Sequence, residues 1–303
     1  MVALTDFTFF RQLDRLRLRI RTARGHRPGE TLIPRATQAW GVEFESYKEY
    51  VPGDDFRYVD WNAVGRLDQL VVRTFTAERE IPVHIFLDTS ASMGAPVVDQ
   101  KFVFATDLVS ALGYVVLNNN DPLHLVALAA PKPGQAPFRP APLLRHRSQF
   151  ARLPGFLHTL TPGGKTYLRE TVRAYIEQTR EPGVATVVSD FLVEPAQYEG
   201  ALTLLQARGY EVRAVHIIGA AELAPERLFR RGKLYDVEEQ KERWVSLNRS
   251  HLQQYQEALQ THLDALQQFC HRHQILYSRV TTDTPLAQIM TEQFTRAGLL
   301  AFR

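Results

Sequence analysis

The chain has 303 residues, 45% hydrophobic and 23% charged, the balance of an ordinary globular protein with one large domain or two modest ones. Its lone cysteine, Cys270, excludes an internal disulfide framework and a cysteine-built zinc cage, and it fits a reducing compartment. Lys and Arg total 36 against 33 Asp and Glu, and the resulting +3 gives no reason to expect a nucleic-acid partner.

No run approaches the roughly 20 consecutive apolar residues that span a bilayer. The N-terminus carries its apolar residues before its basic ones, the reverse of a signal peptide, so a cytoplasmic location is expected. Phe10, Leu13, Leu16 and Ile20 recur at helical spacing among Arg11, Arg15, Arg17, Arg19, Arg21, Arg24 and Arg27. This predicts a basic amphipathic helix within residues 1–29, whose charged side faces solvent, a partner or an anionic membrane surface. Residues 30–80 read as a small β-rich module: Glu43–Tyr47 and Leu70–Phe75 alternate, with a Pro52-Gly53-Asp54-Asp55 turn between them. Asp54, Asp55, Arg57, Asp60 and Trp61 after that turn predict a charge pair that fixes this section to the next, with Trp61 as an anchor in that contact, in preference to a second binding site.

From Ile81 the pattern changes to strand and helix in alternation. Apolar runs at Val83–Leu87, Leu123–Ala129, Ala185–Ser189, Glu211–Ile218 and Ile275–Val280 predict strands buried on both faces, with an edge strand near Leu143. Helices are predicted at Lys101–Leu117, Gln149–Leu160, Leu168–Gln178, Ala201–Ala207, His251–His273 and from Pro285, with a hairpin insertion near 232–247. Such alternation makes residues 81–303 an α/β, Rossmann-like domain with a mostly parallel central sheet flanked by helices.

In such a sheet, ligands bind beyond the carboxyl ends of the strands. There the sequence places Asp88-Thr89-Ser90-Ala91-Ser92-Met93, Gly163-Gly164-Lys165-Thr166 and Asp190. Asp88, Ser90, Ser92, Thr166 and Asp190 offer short, hard oxygen donors suited to Mg²⁺ or Mn²⁺. Taken singly, Asp88 and Asp190 are also ordinary helix caps. His84, His124 and His216 fall inside strands and read as hydrogen-bonded core residues, while Cys270, His271 and His273 read as an exposed helix end. Met93 and Phe191 read as an apolar rim or as core.

The D-T-S-A-S motif, the threonine after a glycine pair and the S-D after a later strand resemble the metal-ion-dependent adhesion site of von Willebrand factor A-like domains. The resemblance implies that Ser90 and Ser92 bind the metal directly, Thr166 directly or through water, and Asp88 and Asp190 mainly through water. The sixth position is then left for an Asp or Glu carboxylate of a protein partner. Upstream, Tyr50-Val51-Pro52-Gly53-Asp54-Asp55-Phe56-Arg57-Tyr58-Val59-Asp60-Trp61, Gly65-Arg66-Leu67-Asp68-Gln69-Leu70 and Glu78-Arg79-Glu80 resemble the signature of the bacterial domain-of-unknown-function family fifty-eight. Members are commonly linked to MoxR-type AAA+ ATPases, which implies an adaptor or chaperone-like role beside such an ATPase or its client. Two positions depart from the pattern: Lys165 stands between the glycine pair and the threonine, and Gly65 replaces a more usual alanine.

Gly-Lys-Thr is not a phosphate loop here, because Thr159 stands where that motif needs glycine. A Mg²⁺-dependent phosphatase or phosphotransferase with Asp88 as nucleophile is the enzymatic alternative, but Ser90 stands where a second aspartate would serve as acid and base. Ser90 also lacks the G-x-S-x-G setting of a hydrolase nucleophile.

Overall fold

The computed structural model describes residues 7–20, 42–52, 54–67, 69–77, 80–128, 136–165, 167–179, 181–224, 231–236, 241–246 and 249–303. The chain divides into two units, residues 22–80 and residues 1–21 with 81–303. In the smaller, β2 (Val42–Glu49) pairs antiparallel with β3 (Val71–Ala77), with a bulge between Phe44 and Ser46. Between them lies a short helix, α2 (Trp61–Leu67), capped by Asp60, which accepts from the Asn62 and Ala63 N–H groups and from the Tyr47 hydroxyl at 2.9 Å. Asp54 accepts from Lys48 at 2.8 Å and Asp55 pairs with Arg57, so these carboxylates pair within the smaller unit rather than in the expected pair with the next section. Trp61, expected as an anchor, is 64% exposed.

In the larger unit, six strands among the described residues form one sheet. They are β4 (Val83–Asp88), β5 (Leu123–Leu128), β6 (Phe138–Pro140), β7 (Val184–Ser189), β8 (Glu211–Ile218) and β11 (Leu276–Thr281), in the order β11-β8-β7-β4-β5-β6. All pairs are parallel except β5 with β6, the edge strand expected a few residues later, near Leu143. The strands alternate their side chains between two cores. Ile85, Leu87, Val188 and Ile217 meet α3 (Lys101–Asn118), whereas Phe86, Val187 and Ala214 meet α5 (Leu168–Gln178), α6 (Pro195–Ala207) and α8 (Arg249–Arg272). A short α4 (Arg152–Leu157) packs beside α3, and β9 (Arg231–Asp236) with β10 (Lys241–Ser246) is the predicted hairpin.

Helix segment Val97–Asn118 contains an 18-residue window apolar enough to cross a membrane by length and composition, and 72% of that window is buried in the fold. Its neighbours along α3 explain this: Leu108, Val109, Leu112 and Val116 are core residues against the sheet.

The N-terminal segment differs from its prediction. Helix α1 covers only Phe7–Leu13, and Leu16–Leu18 forms β1, paired antiparallel with β12 (Leu300–Phe302). Leu16 and Leu18 are buried while Arg17 is exposed, so a period of two overrides the helical spacing once β12 supplies a partner. Residues 21–29 of the predicted helix lie outside the described residues. At the C-terminus, Leu286–Arg296 is helical with a π turn at Ile289–Gln293, and β12 was not expected.

Two of the three strand histidines are hydrogen-bonded in the core as expected, His84 and His216, the latter to the Tyr277 hydroxyl at 2.9 Å; His124 is half-buried and its Nε2 has no hydrogen-bond partner among the described residues. His84 bonds the Tyr175 hydroxyl at 2.9 Å and the Glu181 carbonyl at 3.1 Å, and its ring stacks on His124 at 4.5 Å. Burial, aided by the neighbouring His124, pushes the His84 imidazole down to about 3. Below pH 6.5 the unfolded chain therefore takes up a proton that the folded chain refuses, so this group's contribution is full above pH 6.5 and is lost as pH falls toward 3. The loss is about 1.4 kcal/mol per pH unit. We expect His84→Gln to reduce the difference in unfolding free energy between pH 7.5 and pH 5 by about 2 kcal/mol. Urea denaturation at the two pH values measures it, and an unchanged difference would show that His84 is already protonated in the folded state.

Candidate functional site

Strand order reverses between β4 and β7: β5 and β6 extend the sheet to one side, β8 and β11 to the other. In open α/β sheets the carboxyl ends of the strands at such a switch point are where ligands bind. Asp88 ends β4 and Asp190 follows β7, so topology brings two predicted residues together across 102 positions of sequence.

The first loop turns on Asp88. Its Oδ1 accepts from the Ser90 N–H at 2.8 Å and its Oδ2 from the Ser189 hydroxyl at 2.6 Å. Ser90 Oγ lies 3.0 Å from Ser92 Oγ, and Ser92 Oγ donates to Asp190 Oδ1 at 3.3 Å. Ser90, Asp88 and Asp190 are buried, whereas Ser92 is half-exposed. The second loop is tied to the first by Gly163 N–H to the Thr89 carbonyl at 2.8 Å and Ala91 N–H to the Gly164 carbonyl at 2.9 Å. Gly164 sits at φ 72°, a left-handed conformation that glycine adopts without strain. Thr166 itself lies outside the described residues. Lys165 is exposed, and no ion pair to it is found among the described residues. After Asp190 the chain turns through Phe191 at φ 51°, where the Phe191 N–H donates to Ser189 Oγ and the Leu192 N–H to Asp190 Oδ1.

Four of the five predicted residues thus converge, and Ser90 Oγ, Ser92 Oγ and Asp190 Oδ1 form a continuous set of oxygens. Such a set, without nitrogen or sulfur, has the hardness that Mg²⁺ and Mn²⁺ favour. Among the described residues no group of three His, Cys, Asp or Glu side chains is placed to hold a metal, so any cation here depends on the serine hydroxyls. Met93 and Phe191 are fully buried and belong to the core rather than to a rim. Exposed apolar surface comes instead from Val97 and Val98 after the first loop and Leu192 after Asp190. Cys270, expected at an exposed helix end, is buried in the α8 core stripe, while His271 and His273 are exposed.

One participant escaped the sequence reading. Lys101, the first residue of α3, is 1% exposed; its ammonium lies 2.8 Å from Asp190 Oδ2 and 2.7 Å from Glu222 Oε1. Glu222 belongs to α7 (Ala220–Leu223), and its Oε2 accepts from the Gly219 N–H at 2.7 Å. Burial alone would depress the lysine, but the Asp190 and Glu222 carboxylates outweigh it and hold Lys101 above its ordinary pKa. Burial lifts the Asp88 carboxyl, the nearby Asp190 charge adding and the Ser189 and Ser90 hydrogen bonds opposing. Glu222 is lifted by burial against the pull of Lys101. A lysine opening a helix is a legible anomaly, since the positive end of the helix dipole disfavours it. That conflict is the signal by which the sequence could have marked Lys101.

A mostly parallel sheet with helices on both faces and an Asp-x-Ser-x-Ser loop at its switch point is the α/β, Rossmann-like arrangement that the resemblance to von Willebrand A-type domains implies. The match to the family described as "Protein of unknown function DUF58" covers residues 46–265, and the chain belongs to that family. An uncharacterized protein of Mycobacterium tuberculosis is 26% identical over 180 residues, 59% of this chain and 55% of the relative. The chain spans about half the length of the curated relatives it matches. Among solved structures, the conserved hypothetical protein BatB of Bacteroides thetaiotaomicron is similar at 16% identity and TM-score 0.42, covering 72% of this chain and 98% of that one. A von Willebrand factor type A protein of Catenulispora acidiphila is similar at 13% identity and TM-score 0.39, covering 76% and 44%.

Proposed function

We propose that this chain is a non-enzymatic protein-binding module that docks an acidic side chain of its partner through a divalent cation, Mg²⁺ or Mn²⁺. The observation that carries the reading is the contact chain Ser90 Oγ, Ser92 Oγ and Asp190 Oδ1 at the switch point. Ser90 and Ser92 would hold the ion directly, with Thr166 completing the protein's share. When bound, the cation supplies a Lewis-acidic position that a partner's Asp or Glu carboxylate can fill.

The chain's own residues do the rest. Asp88 has both carboxylate oxygens engaged by Ser90 and Ser189, so it shapes the loop and contributes negative charge at second hand. Its 2% exposure and occupied oxygens also argue against the phosphotransferase alternative, which needs an approachable nucleophile. Half-exposed Ser92 has exposed Val97 and Val98 close to it in sequence, and exposed Leu192 lies two residues after Asp190, so apolar surface of the kind protein interfaces bury accompanies the polar site. The family resemblance makes a MoxR-type AAA+ ATPase, or its client, the proposed partner, and the cytoplasm the proposed location.

The test has two parts. Electron paramagnetic resonance titration should find one Mn²⁺ per chain, displaced by Mg²⁺, with Ser90→Ala and Ser92→Ala each weakening it at least tenfold. Wild-type bait in a lysate of the source cells should then retain a partner in Mg²⁺ and release it in EDTA, while Ser92→Ala retains none. Capture unchanged by EDTA and by Ser92→Ala would exclude the cation from the binding mechanism.

A further inference from the structure

Lys101 places a permanent cation inside the site just described. Gln100, at φ 46°, turns the chain immediately before it, and α3 begins with the lysine directed inward to Asp190 rather than outward to water. The two oxygens of Asp190 are divided: Oδ1 faces Ser92 and the backbone of Leu192, Oδ2 receives the Lys101 ammonium. Glu222 takes the other side of the same ammonium and is itself anchored, its Oε2 to the Gly219 N–H and its carbonyl to the Tyr255 hydroxyl of α8 at 2.9 Å. The Lys101 side chain is wholly buried and that of Asp190 is 2% exposed, so water screens this pair little.

We propose that Lys101 is the resident counter-ion of the metal-binding site and the residue that sets its cation affinity. Resting on the metal-dependent reading above, the proposal deepens it. By neutralising Asp190 from behind, Lys101 keeps the two carboxylates of the site together when no metal is bound. The same ammonium repels an arriving divalent ion, which keeps occupancy weak and reversible. Glu222 moderates the repulsion by sharing the ammonium. Cation occupancy is thereby coupled to α7 and, through Tyr255, to α8.

The experiment compares the full chain with Lys101→Met, which keeps the side chain's reach without its charge, and Glu222→Gln, which keeps the lysine but removes its second carboxylate. Mn²⁺ affinity is read by paramagnetic resonance, and melting is followed in EDTA and in Mn²⁺. Wild type should melt at the same temperature in both, within a degree or two at Mn²⁺ near its Kd. Lys101→Met should melt lower in EDTA, bind Mn²⁺ at least tenfold more tightly and recover much of its melting temperature when the ion is added. Glu222→Gln should bind Mn²⁺ several-fold more weakly than wild type. A folded Lys101→Met with unchanged or weaker affinity overturns the proposal. Should that variant not fold, Glu222→Gln with wild-type affinity does so. A wild-type chain that takes up no Mn²⁺ at millimolar concentration overturns the functional reading itself, and this proposal with it.

Discussion

Asp190→Ala is expected to lose cation binding and to destabilise the larger unit by about 3 kcal/mol, because it removes one half of a buried ion pair and leaves the other half in place. Two effects combine in that single change. Oδ1 is lost from the oxygen set, where Ser92 and the Leu192 N–H meet it. Oδ2 is lost from Lys101, which then has Glu222 as its remaining carboxylate partner among the described residues. The cost sits at the low end of the ~3–5 kcal/mol usual for a stranded buried charge because Glu222 remains. Asp190→Ala with Lys101→Met should recover stability but not Mn²⁺ binding, since the stranded charge is gone while the ligand is still missing. Urea denaturation of the four corners of this cycle measures the coupling. A coupling near zero would mean that Lys101 relocates to water at no cost.

Arg213→Met should cost about 3 kcal/mol or more, for a different reason. Arg213 lies within β8, 1% exposed. Its Nη1 donates to the Leu299 carbonyl at 2.9 Å, and its Nη2 donates to the Arg19 carbonyl at 2.7 Å and to Glu211 Oε1 at 2.9 Å. One guanidinium therefore fastens both chain ends, just after β1 and just before β12, to the sheet. Methionine keeps the apolar stem but takes away the donors that Arg213 gives to the Arg19 carbonyl, the Leu299 carbonyl and the Glu211 carboxylate, although Leu299 still accepts from the Arg19 N–H at 3.1 Å. Hydrogen exchange should show Leu16–Leu18 and Leu300–Phe302 losing protection well before Val83–Asp88. Uniform loss across all three segments would instead mean that the terminal pair and the central sheet open as one unit.

Much of this was legible locally. Apolar runs such as Val83–Leu87 and Ala185–Ser189 could only be strands covered on both faces, and both are buried along their length. Ser90 and Ser92 were recognisable because their spacing from Asp88 lies within one turn of chain. The short strands β1 and β12 were not recognisable. Three residues carry too little pattern to outweigh the helical spacing of Phe10, Leu13 and Leu16, and what decides the matter is a partner at the far end of the chain.

By itself, the sequence determined the order of the parallel strands β4, β5, β7, β8 and β11 and the helices between them, the oxygen chemistry of the Asp88 loop and the position of Asp190 at a strand end, since each depends on neighbours in the chain. Only the tertiary structure decided that Lys101 would stand between Asp190 and Glu222, partners 89 and 121 residues away. It likewise decided that β1 would be a strand. Burial of a charge or closure of a strand edge is settled by which distant groups arrive beside it, because each is costly until its partner is present.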